Sequence, residues 1–155
     1  MKKTLSIGIL SALLFSCHPS IPLKIVGSDS TTFRLNRDGV AATFEMMTRF
    51  NHSFALTVTF TFRDSVLLEP YNLSMTVNND SIAYQCASED GIAPRHILAS
   101  ANSKDFWLVY TFQRQIPKGN QIQVSWNRFA MQGASSIDLP LVAFSVPDYD
   151  EEVSR

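Results

Sequence analysis

Phe54-Ala55-Leu56-Thr57-Val58-Thr59-Phe60-Thr61-Phe62-Arg63 is the stretch that decides the fold. Phe54, Leu56, Val58, Phe60 and Phe62 fall on one face, and Ala55, Thr57, Thr59, Thr61 and Arg63 on the other. A period of two is that of a pleated strand with one face buried. β-Branched and aromatic side chains suit such a half-buried surface. Burying one large apolar side chain stabilises by about 1.5–3 kcal/mol, so this segment alone can organise a core.

The same alternation recurs on both sides of it. Upstream, Val40, Ala42, Phe44 and Met46 share a face in a run that continues less cleanly to Phe50. Downstream, Tyr71, Leu73, Met75 and Val77 form a set, as do Ile82, Tyr84 and Cys86. Phe106, Leu108, Tyr110 and Phe112 follow, then Ile122, Val124 and Trp126, then Val142, Phe144 and Val146. The intervals carry turn residues. Asp38-Gly39 is a tight-hairpin pair, Asn51-His52-Ser53 joins two strong strands, and Asn78-Asn79-Asp80-Ser81 supplies residues that tolerate positive φ. Pro117-Lys118-Gly119-Asn120 has Pro preset for a turn and Gly to close it.

This pattern predicts an all-β domain of about eight antiparallel strands, a β-sandwich, with a closed barrel as the alternative. The architecture resembles immunoglobulin-like sandwiches, although the Cys…Trp…Cys pattern of antibody domains is absent. Two segments fall outside the alternation: a long link over 87–105 and a shorter one over 128–138. The first is expected to cross between the sheets, with a short strand near Arg95 to Leu98. The sandwich itself is assigned to residues 31–147, preceded by a tether or first edge strand over 17–30 and followed by a solvated acidic tail over 148–155.

The first sixteen residues have a separate logic. Lys2 and Lys3 precede an apolar run from Leu5 to Phe15, too short for an ordinary membrane-spanning helix. The run ends in Leu14-Phe15-Ser16-Cys17, which resembles the lipobox of bacterial lipoproteins. That resemblance implies a signal peptide over 1–16, cleavage before Cys17 and acylation of Cys17, giving membrane lipid as one partner. Cleavage removes both N-terminal lysines and leaves 11 basic against 14 acidic residues. In enteric lipoproteins an Asp after the Cys favours the inner membrane. His18 at that position therefore points to the outer membrane, facing the periplasm.

Composition narrows the function classes. The 155 residues are 45% hydrophobic and 17% charged, with a net charge of −1, which excludes a strongly basic nucleic-acid binder. Two cysteines exclude a disulfide scaffold, and acylation of Cys17 would leave Cys86 as the single thiol. Cys86 sits on an apparent core face, where burial suppresses the thiolate, so it is not read as a nucleophile. The three histidines show no metal-ligand spacing; Met46, Met47 and His52 form the only copper-like grouping, and no metal or cofactor is expected.

Three places remain as candidate sites. Trp107 alternates with Phe106 and so points away from the core face, where it could act as a stacking platform. Arg95 and His96 lie in the long link near Glu89 and Asp90. Asp29-Ser30-Thr31, Asp64-Ser65-Val66 and Asp80-Ser81-Ile82 resemble the O-glycosylation acceptor of Bacteroidota envelope proteins, which would modify Ser30, Ser65 and Ser81. The expected role is non-enzymatic binding or assembly in the bacterial cell envelope, with a protein or glycan partner. The alternative is a small envelope enzyme with its site around His96, which a deep pocket collecting His96, Arg95 and carboxylates would favour.

Overall fold

The structure, a computed structural model, describes residues 20–49, 52–100, 106–132 and 135–148. The strands among them are β1 (Ile21–Pro22), β2 (Lys24–Ile25), β3 (Thr32–Arg37), β4 (Val40–Thr48), β5 (Ser53–Phe62), β6 (Val66–Leu68), β7 (Leu73–Val77), β8 (Asp80–Ser81), β9 (Gln85–Ser88), β10 (Gly91–Ile92), β11 (Ile97–Ala99), β12 (Phe106–Gln113), β13 (Gln121–Gln132) and β14 (Ser135–Ser145). Eight of these have four residues or more, the number the alternation predicts. The rest are two- or three-residue pieces.

They form two antiparallel sheets of seven strands. One runs β4-β5-β12-β9-β10, with β1 and β3 sharing the free side of β4. The other has β13 at its centre, β14 and β2 on one side, and β6 and β7 end to end on the other. When β4, β5, β7, β9, β12, β13 and β14 are taken in chain order as A to G, the sheets read A-B-E-D and C-F-G. That is the strand order of immunoglobulin constant-type sandwiches, with β3 added outside A.

The inward faces build one core. Phe54, Leu56, Val58 and Phe60 of β5 are all buried, as the opening stretch requires. Antibody domains join strands B and F with a disulfide. Here the same two strands meet through aromatic rings, with Phe60 of β5 edge-on to Trp126 of β13 at 6.1 Å. Two of the two-residue hairpin turns have positive φ at both positions: Asp38 and Gly39 at φ 51° and 79°, Asn78 and Asn79 at φ 51° and 67°.

Within 17–30, β1 pairs with β4 and β2 with β14, so the chain switches sheets at fully buried Leu23. Two expectations are corrected. Residues 128–138 are mostly strand rather than a link, because β13 runs on to Gln132 and β14 begins at Ser135. A bulge hides this: the register shifts between Trp126 and Ala130, Arg128 has φ 50°, and consecutive Phe129 and Ala130 are both buried. Second, Tyr71 does not continue the inward face of β7. Pro70–Asn72 is a 3-10 turn, and Tyr71 is 42% exposed.

Candidate functional site: a cleft at the sheet crossover

The 3-10 turn is the origin of the site. β6 pairs Leu68 with Ala130, and β7 pairs Leu73 with Trp126. Residues 69–72 therefore oppose 127–129, one residue too many for a regular ladder. Pro70 has no N–H to give that ladder, so the surplus leaves the sheet as a turn.

Aromatic side chains pin the turn from beneath. Trp126 Nε1–H donates to the Glu69 carbonyl at 2.9 Å, and the Tyr110 hydroxyl donates to the Pro70 carbonyl at 2.9 Å. The Tyr84 hydroxyl donates to the Leu73 carbonyl at 2.7 Å. A fourth bond crosses the gap, from the Tyr71 hydroxyl to the Ala93 carbonyl at 2.8 Å. Ala93 is itself held, its N–H donating to the Cys86 carbonyl at 3.0 Å. From there the chain passes to β11, which pairs with β6. Both walls are thus tied to the core before any ligand arrives.

Those hydroxyls remain donors across the physiological range. Burial pushes Tyr84 up to about 12 and Tyr110 well above its usual 10.0; the neighbouring Cys86 adds to both. The Cys86 thiol is likewise pushed up to about 12 by burial, with the Tyr110 hydroxyl beside it opposing the rise. At 2% exposed, Cys86 is a core residue beneath the cleft wall.

The walls enclose an open cleft of about 740 Å³, lined by Glu69, Tyr71 and Asn72 on one side and by Pro94, Arg95 and His96 on the other. Glu69 has both oxygens engaged: Oε1 lies 3.5 Å from His96 Nδ1, and Oε2 accepts from Asn72 Nδ2 at 2.6 Å. Its side chain is 20% exposed, that of His96 63%. The Tyr71 ring stacks on Tyr84 with centroids 6.4 Å apart and planes 8° apart. The two rings are parallel and offset, and Tyr71, 42% exposed, lines the cleft.

The long link therefore does cross between sheets, through β10 and then β11. Its short strand is Ile97–Ala99 rather than Arg95 to Leu98. Arg95 and His96 come together, but with Glu69 rather than Glu89 or Asp90. Trp107 is elsewhere. It is half-buried on the outer face of the β4-β5-β12 sheet, in register with Thr59 and, through it, Thr43. Ser30, Ser65 and Ser81 are all exposed at turns or strand ends. Met46 is fully buried while Met47 is 39% exposed on the opposite face, so the two cannot converge on one ion. Among the described residues no group of three or more His, Cys, Asp or Glu could hold a metal. Cys17 lies outside the described residues.

Alternation alone missed Glu69, Tyr71 and Asn72. The available signal was Glu69-Pro70 between two apolar runs, since a proline inside a strand pattern marks a break. No family model matches the chain, and no curated protein matches it.

Proposed function

We propose that this protein is a lipid-anchored lipoprotein of the bacterial envelope whose sandwich binds a glycan without altering it. The observation that carries the binding reading is the Tyr71 platform. Its ring lies parallel to that of Tyr84, its hydroxyl is tied to Ala93, and it lines a cleft together with Asn72, Arg95 and His96. A flat apolar face with hydrogen-bonding groups around it suits a sugar ring, which has C–H faces and a rim of hydroxyls. Rigid walls reduce the ordering that binding requires. Hydrolysis of a glycosidic bond ordinarily needs two flanking carboxyl groups, and among the described residues Glu69 is the one carboxylate lining this cleft.

The anchor rests on Lys2, Lys3, the apolar run and Leu14-Phe15-Ser16-Cys17. With lipid on Cys17, only residues 18–20 separate it from β1. An extended chain spans at most about 3.6 Å per residue, so β1 would begin within about 15 Å of the acylated sulfur. Exposed Ser30, Ser65 and Ser81 are accessible for the proposed O-glycosylation.

Two experiments test this. Radiolabelled palmitate should enter the wild-type chain and not C17S. The full-length lipoprotein in nanodiscs, applied to a glycan array, should bind a sugar that Y71A no longer holds and W107A still does. Loss through W107A alone would move the site to the outer sheet face. The second reading, an enzyme, draws on the Glu69–His96 contact, in which Glu69 would orient His96 as a base. It requires turnover: a bound glycan recovered with changed mass, and no change with H96A, would establish it.

A further inference from the structure

We propose that the cleft selects sugars carrying a carboxylate, with Arg95 as the residue that reads it. This rests on the glycan-binding reading and names the ligand class for that site. The Tyr71 hydroxyl proton goes to the Ala93 carbonyl, and both Glu69 oxygens face His96 or Asn72. Glu69 is the less exposed partner at 20%, with its carboxylate engaged by Asn72 and His96, while exposed Arg95 and His96 line the opposite wall. Arg95 pairs with no carboxylate among the described residues. Its guanidinium offers a planar fork of N–H donors and no acceptor, the geometry that takes a carboxylate through two parallel hydrogen bonds. A ligand whose ring lies on Tyr71 and whose carboxylate reaches Arg95 would use both walls at once.

The test uses the full-length lipoprotein in nanodiscs and isothermal titration calorimetry. The probes are oligosaccharides ending in glucuronate, galacturonate or N-acetylneuraminate, each paired with its carboxyl-reduced counterpart, and one sulfated oligosaccharide. At least one acid form should bind tenfold or more tighter than its reduced partner, because a charge-assisted pair is lost on reduction. R95Q should bring the two forms within about twofold of each other. Y71A should weaken both forms alike, and R95K should keep only part of the preference. Circular dichroism confirms that each variant is folded.

Equal affinity of acid and reduced forms in the wild type would overturn the proposal while leaving glycan binding intact. So would an acid preference that survives R95Q, or sulfate bound as tightly as carboxylate. Failure of every acidic probe alongside a neutral glycan that binds would also overturn it. Failure of acidic and neutral glycans together would bring down the glycan reading as well.

Discussion

Tyr110→Phe removes one oxygen atom among those that pin the cleft floor. Tyr110 is fully buried, and its hydroxyl donates to the carbonyl of Pro70, itself buried, at 2.9 Å. The substitution keeps the ring, and with it the edge-on contacts to Tyr84 at 5.2 Å and Trp126 at 5.8 Å. Packing therefore changes little. What is lost is a donor to a buried acceptor, which destabilises by about 1–3 kcal/mol. For a chain of this size each kcal/mol moves Tm by roughly 2–4 °C, so a fall of roughly 2–12 °C is expected. Urea unfolding followed by tryptophan fluorescence should show a lower midpoint with an unchanged m-value, since the surface exposed on unfolding is the same. The pinned turn carries Tyr71, so glycan affinity should fall too, although Tyr110 is not a lining residue. The comparison is Y84F, where a partly buried hydroxyl bonds Leu73 and a smaller loss, about 0.5–1.5 kcal/mol, is expected. A Y110F loss under about 0.5 kcal/mol, or a Y84F loss equal to it, would refute the idea that the buried carbonyl sets the magnitude.

Alkali should unfold the protein in a defined window. Burial raises Cys86 from 9.0 and Tyr84 from 10.0, each to about 12, so the folded chain holds protons that the unfolded chain releases. Stability is complete below pH 9 and declines from there towards pH 12, at most about 1.4 kcal/mol per pH unit for each group. C86A should delay the onset to near pH 10; urea midpoints that stay flat between pH 8 and 11 in the wild type would contradict the burial account. In the Asp38-Gly39 hairpin, Gly39 has φ 79°, and a Cβ there would meet Arg63 Cβ at 3.2 Å. G39A should therefore lose roughly 1–2 kcal/mol or more, while G27A, with the same φ but open space, should lose less on thermal melting. Finally, intact-mass measurement of protein from its native host should show a glycan increment that falls with each of S30A, S65A and S81A; a mass unchanged by all three removes the modification.

How far the sequence could be read depended on length and regularity. β5 was legible because it is ten residues of unbroken alternation, and Asp38-Gly39 and Asn78-Asn79 because few residues accept positive φ. β1, β2, β8 and β10 were not, since two residues display no period. They exist because neighbouring strands offer an open edge, which is tertiary information. The far half of β13 was hidden by its bulge, after which Phe129 and Ala130 are buried in succession. Arg95 and His96 could be picked out as polar residues in a link too long to be idle. Tyr71 could not, because it fits the alternation of Leu73 and Met75 while standing outside the strand.

The two failures of pattern have one structural cause. The surplus at Glu69–Asn72 lies directly across the ladder from the bulge at Asn127–Phe129, and each irregularity makes room for the other. The bulge lets Trp126 turn its Nε1–H to the Glu69 carbonyl while Phe129 fills the core against Phe60. The surplus lets Tyr71 leave the sheet and lie over Tyr84. Restoring a regular ladder by deleting one residue from 69–72 would return Tyr71 or its neighbour to the strand, closing the cleft while satisfying every local rule of a sandwich. A fold selected for stability alone has no reason to keep paired irregularities that need four aromatic hydrogen bonds to hold them. Their presence at the single place where a stacking ring, Arg95 and His96 converge is the reason the cleft, rather than the flatter face bearing Trp107, is read as the site.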